Sequence, residues 1–354
     1  MITRRRFLGL SGLLPAVLGL PRGVLADAKG GNRLWHHYEI YYRFEIKRQG
    51  FARLWIPLPI KQTDYQQFLG HEWQGNADAV QVAREAKYGS NCLYAEWRAS
   101  QKPRVLDLVV QIKTCDRQSD FSDDAREPNE DVSLYLQPTS SMPIDGLVAE
   151  TASRIVSAID TPLARARAIY DWTVKNTYRD PKVNGCGIGD INNMLRSGNL
   201  GGKCADINAL FVGLVRAVGI PAREVYGQRV AGSKYFRSLG ASGNISKAQH
   251  CRAEFYIEGI GWIPVDPADV RKVLLEEKRS LNNPRVAELR QRLFGFWEMN
   301  WVAFNYGRDY FLQPATRQPL NYFMYPYLET PNGAYVGIQP DNFDYRMTAK
   351  PKMV

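Results

Sequence analysis

Three observations predict an α+β fold. Strand-period segments crowd residues 33–115, helix-period segments begin after residue 145, and helix and strand alternate from 204 to 266. The chain has 354 residues, and its organisation is read in four pieces. Residues 1–28 are an export signal, 29–140 a β-rich N-terminal domain resembling a sandwich, and 145–270 a mixed core. Residues 271–354 are a C-terminal extension expected to pack on the core or on the β-rich part.

The chain opens MITRRRFLGLSGLLPAVLGLPRGVLADAKG. Thr3-Arg4-Arg5-Arg6-Phe7-Leu8 fits a twin-arginine signal. The apolar run Phe7–Leu20 and the small-x-small site Ala26-Asp27-Ala28 follow it. That run is short of the roughly 20 residues a membrane span needs, so no stable span is expected after signal removal. The expected location is the periplasm. Of the formal charge of +10, Arg4, Arg5, Arg6 and Arg22 against Asp27 supply +3, which leaves +7. Such a balance suits anionic surfaces and acidic peptides. With no long basic run in an exported chain, nucleic acid is not an expected partner.

In the β-rich part, YEIYYRFEI (38–46) alternates with aromatic and β-branched residues, and ARLWIPLP (52–59) ends at prolines that suit a strand end. NCLYAEWRA (91–99) and VLDLVVQIKT (105–114) flank a polar turn and are expected to form a hairpin. The acidic stretch 116–131 reads as a loop. Helices are expected at 146–159 and 162–177, the second capped by Thr161 with Pro162 in its first position. A Gly/Asn-rich connection precedes a helix over 204–218. Strands follow near 222–230 and 251–266, then a charged helix near 284–293.

The 204–218 helix begins with a cysteine. Ile207, Leu210, Phe211, Leu214, Val215 and Val218 repeat with helical spacing, and Gly219 and Pro221 stop the run. Cys204 precedes Ile207 by three residues and shares its buried side. In the first turn, unpaired amides and the helix dipole favour a thiolate. Gly201 and Gly202 allow a sharp entry and a close approach by a substrate backbone. The plain alternative is a buried structural thiol.

A nucleophilic thiol needs a base and a group to orient that base. Of four histidines, only His250 lies in the cysteine's half, at the start of a strand, and Asp266 ends the next strand. Two turns are open. A two-residue Glu258-Gly259 turn sets Asp266 opposite Cys251. A three-residue Ile257-Glu258-Gly259 loop sets it opposite His250, with Cβ atoms about 5 Å apart. The second is expected because it brings the histidine and the carboxylate together.

GGKCADINALFVGLVRAVGIPAREVYG followed by QHCRAEFYIEGIGWIPVDPAD resembles the transglutaminase-like superfamily. The likeness covers roughly residues 145–270 and rests on three separated motifs in order: a Gly-Cys helix ending Gly-Ile-Pro-Ala-Arg, from which Lys203 immediately before the cysteine departs, a strand-opening histidine, and Gly-Trp-x-x-x-Asp-Pro. Less specifically, ARLWIPLP resembles the β-domain that often precedes this core. The resemblance implies a papain-like arrangement in which Cys204 attacks a carboxamide or peptide carbonyl, His250 carries the proton and Asp266 orients it. The backbone amide of Cys204 is the expected oxyanion donor, with a second donor unidentified. The implied substrate is a protein or peptide, cell-wall peptides included. Hydrolysis is favoured over amine cross-linking, and the other reading carried is a non-catalytic binding module on the same fold.

No cofactor and no metal is expected, since no His/Cys set has zinc spacing. SGNLGGKC lacks the first glycine and the Ser/Thr of a phosphate loop. The five cysteines leave at least one thiol unpaired. Cys186 and Cys251 read either as two buried thiols or as a disulfide pinning the approach loop to the strand that carries His250, with Cys251 pointing away from His250's face. Trp262 is the aromatic expected to wall the site. The aromatic C-terminal residues, Trp297 and Trp301 among them, are expected to be core.

Overall fold

In the computed structural model, residues 33–98, 103–121, 131–338, 343 and 345–352 are described. The proposed export signal, 1–28, lies outside them. The architecture is α+β: two five-stranded antiparallel sheets face each other beside a helix-covered four-stranded sheet.

The aromatic and β-branched alternation at 38–46 becomes the strand His36–Ile46, paired on one side with Arg104–Thr114 and on the other with Tyr345–Lys352. Its inward residues Ile40, Tyr42 and Phe44 are fully buried. They meet Leu54 and Ile56 from Ala52–Pro57 and Leu93 and Ala95 from Asn91–Trp97, in the second sheet. The expected hairpin between 91–99 and 105–114 does not form. Asn91–Trp97 pairs with Ala52–Pro57 and Ala79–Arg84 in one sheet, while Arg104–Thr114 pairs with His36–Ile46 and Gln66–Gly75 in the other. Both strands are mostly buried and central, so each needs two neighbours that a mutual hairpin would not supply. Gln66–Gly75 and Ala79–Arg84 escaped the sequence reading because they are polar, largely exposed edge strands without apolar alternation.

The C-terminal residues belong to both sheets. Tyr345–Lys352 joins the first sheet beside His36–Ile46, and Tyr327–Thr330 joins the second beside Ala52–Pro57.

Helices α1 (Gly146–Ile155) and α2 (Pro162–Asn176) form where the period changes, and the Thr161 hydroxyl accepts from the Ala164 amide at 3.4 Å. The Gly/Asn-rich connection hides α3 (Ile191–Ser197), capped by Asp190. Helix α4 (Cys204–Ala217) is enclosed on all sides rather than along one face: every residue from Cys204 to Arg216 is buried. Its apolar residues pack against α1, α2 and the sheet formed by Ala222–Arg229, Gln249–Ile257 and Gly261–Val265. Helices α5 (Pro267–Glu276) and α6 (Pro284–Arg292) follow, and α5 had no sequence expectation. Trp301–Asn305 adds the fourth strand, and Trp297 and Trp301 are fully buried as expected. Among the described residues no helix is long and apolar enough to cross a membrane.

Candidate functional site

Cys204 opens α4 and is 3 % exposed. Its neighbourhood is held by Asp206, the third residue of the helix. One Asp206 oxygen accepts from the Ile188 and Gly189 amides at 2.9 and 2.8 Å, and the other accepts from the Lys203 amide at 2.9 Å. The carboxylate thus caps its own helix and ties down the glycine-rich approach. Arg308, from the C-terminal segment, donates to the Ile188 and Gly189 carbonyls at 3.1 and 2.8 Å, and Tyr322 donates to the Gly187 carbonyl at 2.7 Å.

The glycines serve this internal packing. A Cβ on Gly202 would lie 2.4 Å from the Asp206 Cβ, and one on Gly201 would lie 2.3 Å from the Tyr178 ring. The Gly201–Gly202 pair runs parallel to Tyr178–Arg179 as a short bridge. The close approach seen at these glycines is by the protein's own side chains.

His250 lies on Gln249–Ile257 and Asp266 directly follows Gly261–Val265. The hairpin pairs Ile257 with Gly261 and Ala253 with Val265, so its loop is Glu258-Gly259-Ile260. The three-residue length was expected, but the loop sits one residue later. Opposed pairs therefore shift by two, and Asp266 continues the register opposite Arg252. An even shift preserves the face, and a diagonal neighbour on that face is within side-chain reach. His250 Nε2 lies 2.7 Å from Asp266 Oδ2. With Nε2 engaged, Nδ1 is the ring nitrogen left for the thiol. The structure thus brings Cys204, His250 and Asp266 together, although not through directly opposed residues.

Several partners were missed by sequence reasoning. Asp269 Oδ1 lies 3.4 Å from His250 Nε2 and 2.6 Å from the Arg229 guanidinium. Its signal was Asp266-Pro267-Ala268-Asp269, an N-cap followed by proline and an acid three residues on, like the Thr161-Pro162 start that was recognised. Asn208, one turn after Cys204, donates to the Cys251 carbonyl at 2.9 Å and to Asp266 Oδ1 at 3.4 Å. A lone asparagine inside an apolar helix was the available clue. Trp301 donates to the His250 carbonyl at 2.8 Å, and Trp297 to the Val265 carbonyl at 3.1 Å, so the C-terminal segment braces both strands.

Cys186 and Cys251 are buried free thiols in one cluster with Cys204, and the Cys186 thiol donates to the Gln249 carbonyl at 3.4 Å. The disulfide alternative is not the arrangement present, and Cys251 is not turned away from the site. Trp262 does not wall it either. That ring lies under the Arg223 guanidinium, 3.7 Å from its centroid, beside Tyr135 and Tyr256. Tyr325 and Ile338 line the cleft above Cys204 instead, in a cavity of about 680 Å³.

The electrostatics favour an ion pair. Burial alone would raise the Cys204 thiol, but hydrogen bonds from Cys186, Cys251 and His250, with the imidazole's charge, hold it well below the usual thiol value. The neighbouring Cys204 thiolate and burial move Cys186 well above that value, and burial raises Cys251 likewise. Burial and Arg229 push His250 toward neutrality, yet the Asp269 and Asp266 carboxylates outweigh them and raise it. A low thiol beside a high imidazole is the condition for a thiolate–imidazolium pair.

Three donor atoms of His250, Asp266 and Asp269 cluster closely enough to suggest a cation site. The donors are already committed. Asp269 is held by Arg229 at 2.6 Å, Asp266 lies 3.7 Å from Arg252, and all of them are buried. A metal would have to displace a guanidinium from its carboxylate, so the set does not fit one.

Comparison with known proteins agrees with this fold. Residues 149–267 match the transglutaminase-like superfamily model. An uncharacterized protein of Haemophilus influenzae is 39% identical over 338 residues, covering 89% of this chain and 91% of its own. Among solved structures, a candidate cysteine protease from Cytophaga hutchinsonii superposes with a TM-score of 0.55 at 14% identity, over 91% of this chain and 92% of that one. The periplasmic domain of TgpA from Pseudomonas aeruginosa, bound to ethylmercury, matches more loosely, with a TM-score of 0.37 at 15% identity over 69% and 92% of the two chains. Through its 149–267 core the chain belongs to the transglutaminase-like superfamily, in one family with the Haemophilus influenzae protein.

Proposed function

We propose that the protein is an exported thiol hydrolase that acts on peptide or carboxamide bonds through a Cys204 acyl-enzyme. The observation that carries this reading is the His250 Nε2–Asp266 Oδ2 contact of 2.7 Å behind a buried first-turn thiol at the base of a cleft. In this reading Cys204 Sγ attacks the carbonyl carbon as a thiolate. The His250 imidazolium gives its proton to the leaving nitrogen as the C–N bond breaks. Water then adds to the thioester, His250 takes a proton from it, and the carboxylic acid leaves with the thiol restored.

Asp266 fixes the ring and stabilises its positive charge. The amide of Cys204 suits the oxyanion, because it has no partner among the described residues. Its neighbours are taken: Ala205 N donates to the Cys186 carbonyl and Ile207 N to the Lys203 carbonyl.

The test is acid-quenched mass spectrometry of the protein with a peptide substrate mixture. A thioester adduct on Cys204, with turnover abolished in Cys204→Ala, is expected. Turnover that survives Cys204→Ala overturns the assignment. Incorporation of a labelled alkylamine faster than hydrolysis would replace the hydrolase with a cross-linking enzyme. The export part is tested by fractionating cells that carry the full chain with Arg4 and Arg5 intact or changed to lysine.

A further inference from the structure

The cleft above Cys204 is lined by six cationic side chains, Arg179, Lys182, Lys203, Arg229, Lys247 and Lys272, and by no carboxylate among the described residues. Three of the six are already matched. Arg229 holds Asp269 at 2.6 Å, and Arg179 and Lys272 share Glu276 at 3.5 and 3.8 Å. Lys182, Lys203 and Lys247 have no ion-pair partner among the described residues. They arrive from three separate places: the turn after Tyr178–Arg179, the position immediately before the thiol, and the segment leading into His250. Asp180, near the first of them, is engaged by the Lys182 backbone amide at 2.9 Å.

We propose that this cleft takes acidic peptide segments, in which aspartate or glutamate side chains flanking the scissile amide pair with Lys182, Lys203 and Lys247. A partly enclosed space focuses the field of its walls, so one sign of charge raises the local concentration of the opposite one. A basic peptide would bring like charge against three ammonium groups and would be rejected. A peptide is favoured over other polyanions because the thiol and imidazole at the cleft base act on carbonyl centres.

The surroundings agree with a positive cleft. Burial and the neighbouring charges of Arg229 and Arg179 lower Lys272 against the pull of Asp269 and Glu276. The reaction part of the proposal rests on the hydrolase reading above, but the binding part does not.

Two measurements separate them. Binding is read by fluorescence anisotropy of a fluorescein-labelled glutamate-rich peptide and its lysine-rich counterpart on the Cys204→Ala protein. Turnover of the same sequences is read on the wild type. The glutamate peptide is expected to bind at least about tenfold more tightly. It should lose that advantage in Lys182→Glu/Lys247→Glu, and also at about 1 M salt, where the Debye length is about 3 Å. The charge-reversed protein is expected to prefer the lysine peptide.

Equal binding of the two peptides, or an acidic preference that survives the double reversal, overturns the cleft proposal even if the wild type cleaves both. Charge-selective binding without any turnover by the wild type leaves the cleft proposal standing and removes the hydrolase. Inorganic polyphosphate that binds far more tightly than the glutamate peptide, and displaces it completely, would show that the cleft is built for another anion.

Discussion

Asp266 uses its two oxygens for two different tasks. Oδ2 lies 2.7 Å from His250 Nε2, while Oδ1 accepts the Asp269 amide at 3.1 Å and so caps α5. Helix start and imidazole orientation are set by one fully buried carboxylate. Asparagine caps about as well as aspartate, whereas alanine does not. Asp266→Asn is therefore expected to be more stable than Asp266→Ala by about 1 kcal/mol, read from denaturant melts. Both are expected to lose about 10²-fold or more in kcat/KM, because neither holds a charged imidazole. Activity retained in Asp266→Asn would reduce the residue to a cap.

The three neighbouring thiols give a second expectation. A donor to a thiolate stabilises the charged form, so removing the donor raises the pKa. Iodoacetamide alkylation of Cys204 should titrate well below about 8.5, the free thiol value. Its midpoint should rise in Cys186→Ala and rise again in His250→Ala. A midpoint indifferent to both changes would mean that the thiol is ordinary.

Turnover should follow a bell-shaped pH profile. The acid limb reports thiolate formation, and falls below the free thiol value because Cys204 is lowered. The alkaline limb reports loss of the His250 proton, and falls above about 6.5, the free imidazole value, because Asp269 and Asp266 raise it. Removing a negative neighbour weakens the hold on that proton. Asp269→Asn is therefore expected to move the alkaline limb to lower pH and leave the acid limb nearly in place, measured as kcat/KM against pH.

Asp206 predicts a local rather than a global loss. Its removal in Asp206→Ala leaves the Ile188, Gly189 and Lys203 amides without their acceptor. An unsatisfied buried group costs about 1–3 kcal/mol. Amide exchange at residues 187–189 should accelerate by more than tenfold while α2 exchanges as before, read by hydrogen-exchange mass spectrometry.

The residues that meet at the candidate site were legible in the sequence because each of them carries a local mark. Cys204 is marked by a helix start, His250 by a strand start, and Asp266 by a strand end before proline. The spatial relation between the last two was less legible. Glu258-Gly259-Ile260 and Ile257-Glu258-Gly259 are both acceptable three-residue loops around the same left-handed Gly259, and only packing decides between them. The reading survived its register error because an even shift leaves Asp266 on the histidine's face. Arg229, Arg308 and Trp301 were not legible as site residues. Each acts across a long sequence separation, through a side chain whose type also fits an ordinary surface or core role. The sandwich misread has the same origin: strand content follows from alternation, but partner choice does not.

The strand Tyr345–Lys352 lies beside His36–Ile46, and Trp301 holds the carbonyl of His250. Ribosomes deliver a chain from its amino end, so a nascent copy already displays Cys204, His250 and Asp266 before the residues that brace them exist. Pairings this distant in sequence close late in folding. A product that ends before residue 300 therefore carries Cys204, His250 and Asp266 but lacks the Trp301 indole that holds the His250 carbonyl and the strand that pairs with His36–Ile46.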